Sequence, residues 1–213
     1  MSATTQNANA SRDRPAGPVL RFGPVAIGFD DSVLLPRPWT LAQSEWAAEL
    51  GGGDDLLELG CGAGHIGLAA AALSGSRLVQ VDRDPAACRW AAHNAEANGL
   101  ADRVEQRCGP TTGVLAPGER FRVVIADPPY VPSADLALYP EDPLGAIDGG
   151  PDGLDGIRAF LGGLERHVTP RGCVVLQVRG AAQAEQLSDP HFSVDEVRDH
   201  GDLRALVLLR SAQ

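Results

Sequence analysis

Residues 56–67, LLELGCGAGHIG, constrain the fold more than any other stretch of this chain. An apolar run stops at Gly60, glycine recurs at Gly62 and Gly64, and an alanine-rich run follows. A short apolar run without alternation suits a strand covered on both faces, and the run after it suits a helix. Glycines between the two let the backbone turn sharply and let a ligand approach it closely. A strand, a glycine turn and a helix in that order open a parallel sheet, with the turn at the edge where ligands bind.

The rest of the chain continues the alternation. RLVQVD (77–82) reads as the next strand. Asp84 and Pro85 then supply a helix cap and a first helical residue, and Asn98-Gly99 supplies the stop. RVEQRC (103–108) and FRVVIAD (121–127) are two more strands. Leu154, Ile157, Leu161, Leu164 and Val168 recur at helical spacing, which predicts one amphipathic helix over 153–168. TPRG (169–172) is expected to turn the chain into the strand CVVLQV (173–178), and AAQAEQL into a short helix. FSVDEV and RALVLLR close the chain as a terminal hairpin. Upstream, 19–31 suits a short hairpin, and 40–50 a helix ended by Gly51-Gly52-Gly53. The expected fold is α/β: a Rossmann-like, doubly wound, mostly parallel seven-stranded sheet with helices on both faces and a short N-terminal hairpin and helix extension. Residues 1–17 are polar and read as a disordered tail, leaving 18–213 as one domain.

Composition narrows the function. The net charge is −10, against a protein that coats nucleic acid through a broad basic face. No apolar run is long enough to cross a bilayer, and residues 1–17 lack the apolar core of a signal peptide. The cysteines Cys61, Cys88, Cys108 and Cys173 form no C-x-x-C pair and no zinc spacing, so reduced thiols, no metal and a cytoplasmic setting are expected.

Two sites carry chemistry. Glu58, Gly60, Gly62 and Gly64 form E-x-G-x-G-x-G, and Asp82 ends the next strand, where a carboxylate can accept both hydroxyls of a ribose. Gly62, Gly64 and Gly67 also satisfy G-x-G-x-x-G, so an NAD-dependent oxidoreductase is a serious alternative. A carboxylate at Glu58 turned toward the cofactor would suit an ammonium group rather than a pyrophosphate, which favours S-adenosylmethionine. The second site is Asp127-Pro128-Pro129-Tyr130 at the end of the fourth core strand. An amide or aromatic amino nitrogen is a poor nucleophile because its lone pair is delocalised. The Asp127 side chain and the Pro128 carbonyl can accept its two hydrogens, Pro129 stiffens the corner, and Tyr130 offers a flat face for stacking.

The glycine loop with Asp82 resembles the class I S-adenosylmethionine-dependent methyltransferases. DPPYVP followed by AIDGGPDGLDGIRAFL (146–161), with VLLPRPWT (33–40) upstream, is similar to the HemK/PrmC-type protein-glutamine methyltransferases. The resemblance covers roughly residues 20–210. It implies a cofactor along Gly60, Cys61, Gly62, Ala63 and Gly64, with Glu58, Asp82, Arg83, Gly109 and Asp127 around it. It implies an acceptor nitrogen held by Asp127, Pro128, Pro129 and Tyr130, on a glutamine of a translation release factor or similar protein.

There are departures from the family pattern. Asp127 stands where asparagine is usual, as in adenine amino-methyltransferases. Cys108 and Gly109 stand where an acid and often an aromatic flank the adenine, and Trp39 where an acid precedes threonine. About 54 residues precede the first core strand, too few for the family's N-terminal helical domain as well as the hairpin. A small-molecule or nucleic-acid amine is therefore an alternative acceptor, and a catalytically silent partner subunit an alternative role. Arg37 suits either a cofactor carboxylate or solvent. His65 reads as a surface residue at a helix start and His93 as structural or exposed. Asp148 and Asp152 suit either a helix cap or a substrate contact.

Overall fold

The computed structural model describes residues 15–212, so positions 1–14 of the expected tail lie outside the described residues. A hairpin of β1 (Val19–Phe22) and β2 (Val25–Gly28) is followed by a 3-10 turn, Pro38–Thr40, and α1 (Leu41–Gly51). The core then runs β3 (Leu56–Leu59), α2 (His65–Ser74), β4 (Leu78–Asp82), α3 (Pro85–Ala97), β5 (Val104–Cys108), α4 (Thr111–Val114), β6 (Phe121–Ala126), α5 (Leu144–Ile147), α6 (Asp155–Leu161), β7 (Val168–Val178), α7 (Gly180–Ala184), β8 (Phe192–Asp199) and β9 (Ala205–Ser211). A seven-stranded sheet forms in the order β5-β4-β3-β6-β7-β9-β8. β5, β4, β3, β6 and β7 pair in parallel, and β9 runs antiparallel to both of its neighbours. The strand order reverses between β3 and β6, so the crevice at the carboxyl ends opens there.

Alternation along the strands divides the core. Leu56, Val123, Ile125, Cys173, Val175, Leu206 and Leu208 face α1, α2, α3 and the hairpin. Leu57, Leu59, Val124, Val174, Leu176, Val207 and Leu209 face α6 and the segment around Leu164. Strands buried on both faces explain the continuous apolar runs in the sequence. At about 25 cal/mol per Å² of apolar surface, these layers are the main force holding the sheet.

Local signals act as expected at several ends. The Asp84 carboxylate accepts from the Ala86 N–H at 2.8 Å and caps α3, with Pro85 in its first turn. Asn94 of α3 and Asn98, which caps its C-terminus, fasten the hairpin: Asn98 exchanges hydrogen bonds with the Ala26 backbone, and Asn94 with that of Gly28. Asn94 also donates to the Ala63 carbonyl, tying the hairpin to the glycine loop.

Two expectations change. The single helix over 153–168 is α6 and a 3-10 turn, Leu164–Arg166, separated at Gly162 and Gly163, the latter at φ 84°. The apolar spacing survives the break because Leu161 and Leu164 both still reach the core. The turn at 169–172 lies within β7, where Arg171 has φ 62° and the pairing with β6 shifts register.

Candidate active site

The glycine loop joins β3 to α2. Gly60, Gly62 and Gly64 take φ of 66°, 54° and 81°, conformations that other residues adopt only under strain. A Cβ on Gly60 would meet the Phe160 ring at 2.9 Å, and one on Gly64 would meet the Gln80 amide at 2.8 Å. Gly62 differs, since a Cβ there would enter open space. The backbone is thus bare where a ligand can lie on it. Cys61 and Ala63 are buried and face the core, so the loop offers main chain rather than these side chains.

Asp82 ends β4 beside the loop and is half-buried. Its carboxylate accepts from the Gly62 N–H and the Asp84 N–H, both at 2.9 Å, with lone pairs left for hydroxyl donors. The exposed Arg83 follows it, and the Gly109 N–H beyond β5 donates to the Asp82 carbonyl at 2.8 Å. These groups form one rim at the carboxyl ends of β3, β4 and β5.

Glu58 does not share that rim. Its carboxylate accepts from the Gly67 N–H at 3.0 Å and from Gln80 Nε2 at 2.6 Å, and the residue is 2% exposed. Burial pushes its carboxyl up to about 7, against the two hydrogen bonds that lower it. The side chain anchors α2 to the sheet from beneath, so the expectation that it faces a cofactor ammonium is corrected. Strand register sets this placement, because Glu58 shares a face with Leu56 and pairs across strands with Gln80. The preference for S-adenosylmethionine over NAD cannot rest on it.

β6 brings Asp127 to the same crevice. Leu59 pairs with Ala126, and a Cβ on Gly60 would lie 4.0 Å from the Asp127 carbonyl. Gln43 of α1 holds the strand ends together, donating to the Ala126 and Val175 carbonyls at 3.0 and 2.9 Å. Among the described residues no donor reaches the Asp127 carboxyl. Burial raises it to about 7, with nearby Arg37 pulling the other way.

The bend itself is braced from behind. Gly153 and Gly156 leave room for the Tyr130 and Pro129 carbonyls, which an added Cβ would meet at 2.4 and 2.5 Å. Gln183 Nε2 donates to the Tyr130 carbonyl at 3.0 Å, and Val131 bridges to Asp148. Asp148 accepts from Ser133 Oγ and the Gly150 N–H, while Asp152 accepts from the Leu154 N–H and pairs with Arg158. Both acids are spent on turns, and neither caps α6, whose N-terminus has no side-chain cap, so the helix-cap expectation is not met. The glycine-rich segment 148–156 therefore shapes the bend from outside.

A cavity of about 110 Å³ opens over the bend, lined by Arg37, Trp39, His65, Asp127, Tyr130 and Gln177 among others. Arg37 pairs with Asp142 across its mouth, a third possibility beside the two considered. His65 is 9% exposed and packs edge-on against Phe22, with ring centroids 5.0 Å apart, so it is not a surface residue. Its burial lowers the imidazole to about 4. Gln177, unnoticed in the sequence, donates from Nε2 to the Tyr130 hydroxyl at 3.1 Å. Polar residues inside strands gave no warning, because only contact reveals what they hold.

Comparison with known proteins agrees with this layout. Residues 45–127 match the family model described as ribosomal protein L11 methyltransferase (PrmA). A release factor glutamine methyltransferase of Gloeobacter violaceus is 38% identical over 161 residues, 71% of this chain and 56% of that protein. The Synechocystis protein of the same description is 30% identical over 203 residues, 88% of this chain and 68% of the relative. A ribosomal protein uL3 glutamine methyltransferase of Francisella tularensis is 27% identical, with 85% and 61% covered. The chain spans little more than half the length of several such relatives, 56% and 51% in two of them. Among solved structures, a methyltransferase from Pyrococcus furiosus superposes with a TM-score of 0.66 at 18% identity, covering 87% of this chain and 88% of that one. An RNA methyltransferase from Salinibacter ruber, in complex with S-adenosyl-L-homocysteine, gives 0.55 at 23%, covering 84% and 94%. These two likenesses speak to the fold, and the longer sequence match, across more than two thirds of the Synechocystis protein, speaks to descent. The protein belongs to the release factor glutamine methyltransferase family, of HemK/PrmC type.

Proposed function

We propose that this protein is an S-adenosylmethionine-dependent N-methyltransferase whose acceptor is the side-chain amide of a glutamine in a translation release factor or ribosomal protein. The observation that carries it is the shared crevice: the register of β3 against β6 sets the bare glycine loop beside a carboxyl that no donor reaches among the described residues. The open space at Gly62 and the free lone pairs of Asp82 fit a nucleoside cofactor, which the family's methyl transfer makes S-adenosylmethionine, held by the backbone of Gly60–Gly64 and flanked by Arg83 and Gly109. When bound, the cofactor supplies an electrophilic methyl on sulfonium.

The chain's own residues do the rest. Asp127 accepts one amide hydrogen and the Pro128 carbonyl the other, which turns the nitrogen lone pair out of conjugation. Pro129 and the glycines behind it keep both acceptors fixed, and fixed acceptors need no reorganisation during reaction. Tyr130 confines the planar group. The proton that the nitrogen must lose has an acceptor in the Asp127 carboxylate, poised near neutrality. A protein acceptor accords with the family and with a surface too acidic to coat nucleic acid.

The test is twofold. Calorimetric titration with S-adenosylmethionine, S-adenosylhomocysteine and NAD checks the cofactor, and tighter NAD binding would reject the reading. Labelled-methyl transfer into release factors, ribosomal proteins, RNA and small amines checks the acceptor. Label in glutamine supports the proposal. Label in RNA or a metabolite moves the acceptor class, and binding without transfer to any of them points to a silent subunit.

A further inference from the structure

Two buried polar groups border the acceptor cavity without partners. Nδ1 of His65 is sealed from solvent and makes no hydrogen bond, and the same holds for Oε1 of Gln177. Both residues line the cavity with Asp127 and Tyr130. Both atoms are sealed behind the cavity wall, so neither meets a ligand itself, and each side chain can offer the cavity only its other polar end.

The orphan at Nδ1 also assigns the tautomer. A buried N–H without an acceptor is rarer and more costly than a bare lone pair, so the single proton belongs on Nε2. Among the described residues no charged group pairs with the ring, and its burial beside Phe22 keeps it neutral at physiological pH. Neutral imidazole with Nδ1 bare presents one polar function to the cavity, the Nε2–H donor.

The ionised Asp127 carboxylate and the Pro128 carbonyl accept hydrogens, and in that state neither donates to a carbonyl oxygen. A primary carboxamide carries that oxygen beside its nitrogen, and an alkyl amine does not. We propose that His65 is a specificity-determining residue of the acceptor pocket, donating from Nε2–H to the carbonyl oxygen of the incoming carboxamide. The inference rests on the glutamine reading above and deepens it, since a site that donates to a substrate oxygen rejects analogues lacking it. Gln177 supports the same wall by fixing the Tyr130 hydroxyl.

The test uses the full chain saturated with S-adenosylhomocysteine and labelled with nitrogen-15 histidine. The probe is N-acetylglutamine methylamide, with the N-acetylnorvaline analogue as the control lacking a carboxamide. The expected result is an Nε2–H tautomer at His65 whose nitrogen resonance moves with the glutamine probe and not with norvaline. His65→Phe should weaken the glutamine probe about tenfold, leave S-adenosylhomocysteine binding within about twofold, and be rescued by His65→Gln, which retains a donor. The proposal is overturned if His65→Phe binds the glutamine probe as well as wild type, if the Nε2 resonance ignores the carboxamide, or if cofactor affinity falls as far as probe affinity. The glutamine reading fails separately, when wild type transfers methyl to no glutamine. Transfer by His65→Phe equal to wild type would sink only the role of His65.

Discussion

Asp127 and Glu58 are acids with the same direction of shift and different employment. Both are held near 7 by burial, but Glu58 has two protein donors and Asp127 has none among the described residues. Under the function proposed above, the consequence for Asp127 is catalytic. Its carboxylate is neutralised as pH falls through about 7, so transfer should decline on the acid side of that value. Asp127→Asn should remain active, because an amide oxygen still accepts, and its rate should be flat across the same range. Initial rates at saturating cofactor from about pH 6 to 8 check this. A wild-type limb that persists in the variant would assign the titration elsewhere.

For Glu58 the consequence is stability. Its folded value lies above the unfolded one, so the native state holds the proton longer. That penalty is absent below about 4.5 and complete above about 7, where it reaches about 3 kcal/mol. Glu58→Gln should therefore gain on wild type in thermal midpoint as pH rises from about 5 to 8. The Gln80 amide can turn to receive the new NH₂, since its Oε1 is otherwise unpartnered. A midpoint difference that does not change with pH would contradict the shift.

At the scale of elements, the segment 148–156 and the bend 127–130 form one unit. The sequence shows a proline-stiffened corner and a glycine-rich stretch, and leaves the acids of the stretch between a helix cap and a substrate contact. The structure gives its glycines the larger part, because Gly153 and Gly156 admit the carbonyls of the bend. Gly156→Ala should push on the Pro129 carbonyl, destabilise the fold by about 1–3 kcal/mol, and lower kcat with little change in S-adenosylmethionine affinity. Chemical denaturation and calorimetry on the same variant separate the two effects. Equal loss of cofactor binding would show that bend and loop are not independent.

Legibility follows from the same physics. The glycine loop, the Asp84 cap and the alternating elements were readable because backbone conformation and burial period write themselves locally. The break at Gly162-Gly163 was not, since the apolar spacing continues across it. His65, Gln43 and Gln177 were hidden for another reason. A buried polar residue looks like a surface one until its distant partners are known, and those of Gln43 lie at Ala126 and Val175. The face of Glu58 follows from the register that sets it opposite Gln80 beneath α2, which a strand covered on both sides does not reveal in its own sequence.

Over the whole molecule, a doubly wound sheet brings two separately encoded motifs, about 65 residues apart in sequence, to one reversal of strand order. The measurement that decides most directly whether they work together is paired. Cofactor affinity by calorimetry and labelled-methyl transfer to a glutamine-bearing release factor are read on wild type, Asp82→Ala and Asp127→Ala. Asp82→Ala should lose cofactor affinity, whereas Asp127→Ala should bind S-adenosylmethionine nearly as wild type and lose transfer by about a hundredfold or more. Undiminished transfer by Asp127→Ala, or unchanged cofactor affinity in Asp82→Ala, would contradict a common cleft with the methyl donor on one side and the acceptor amide on the other.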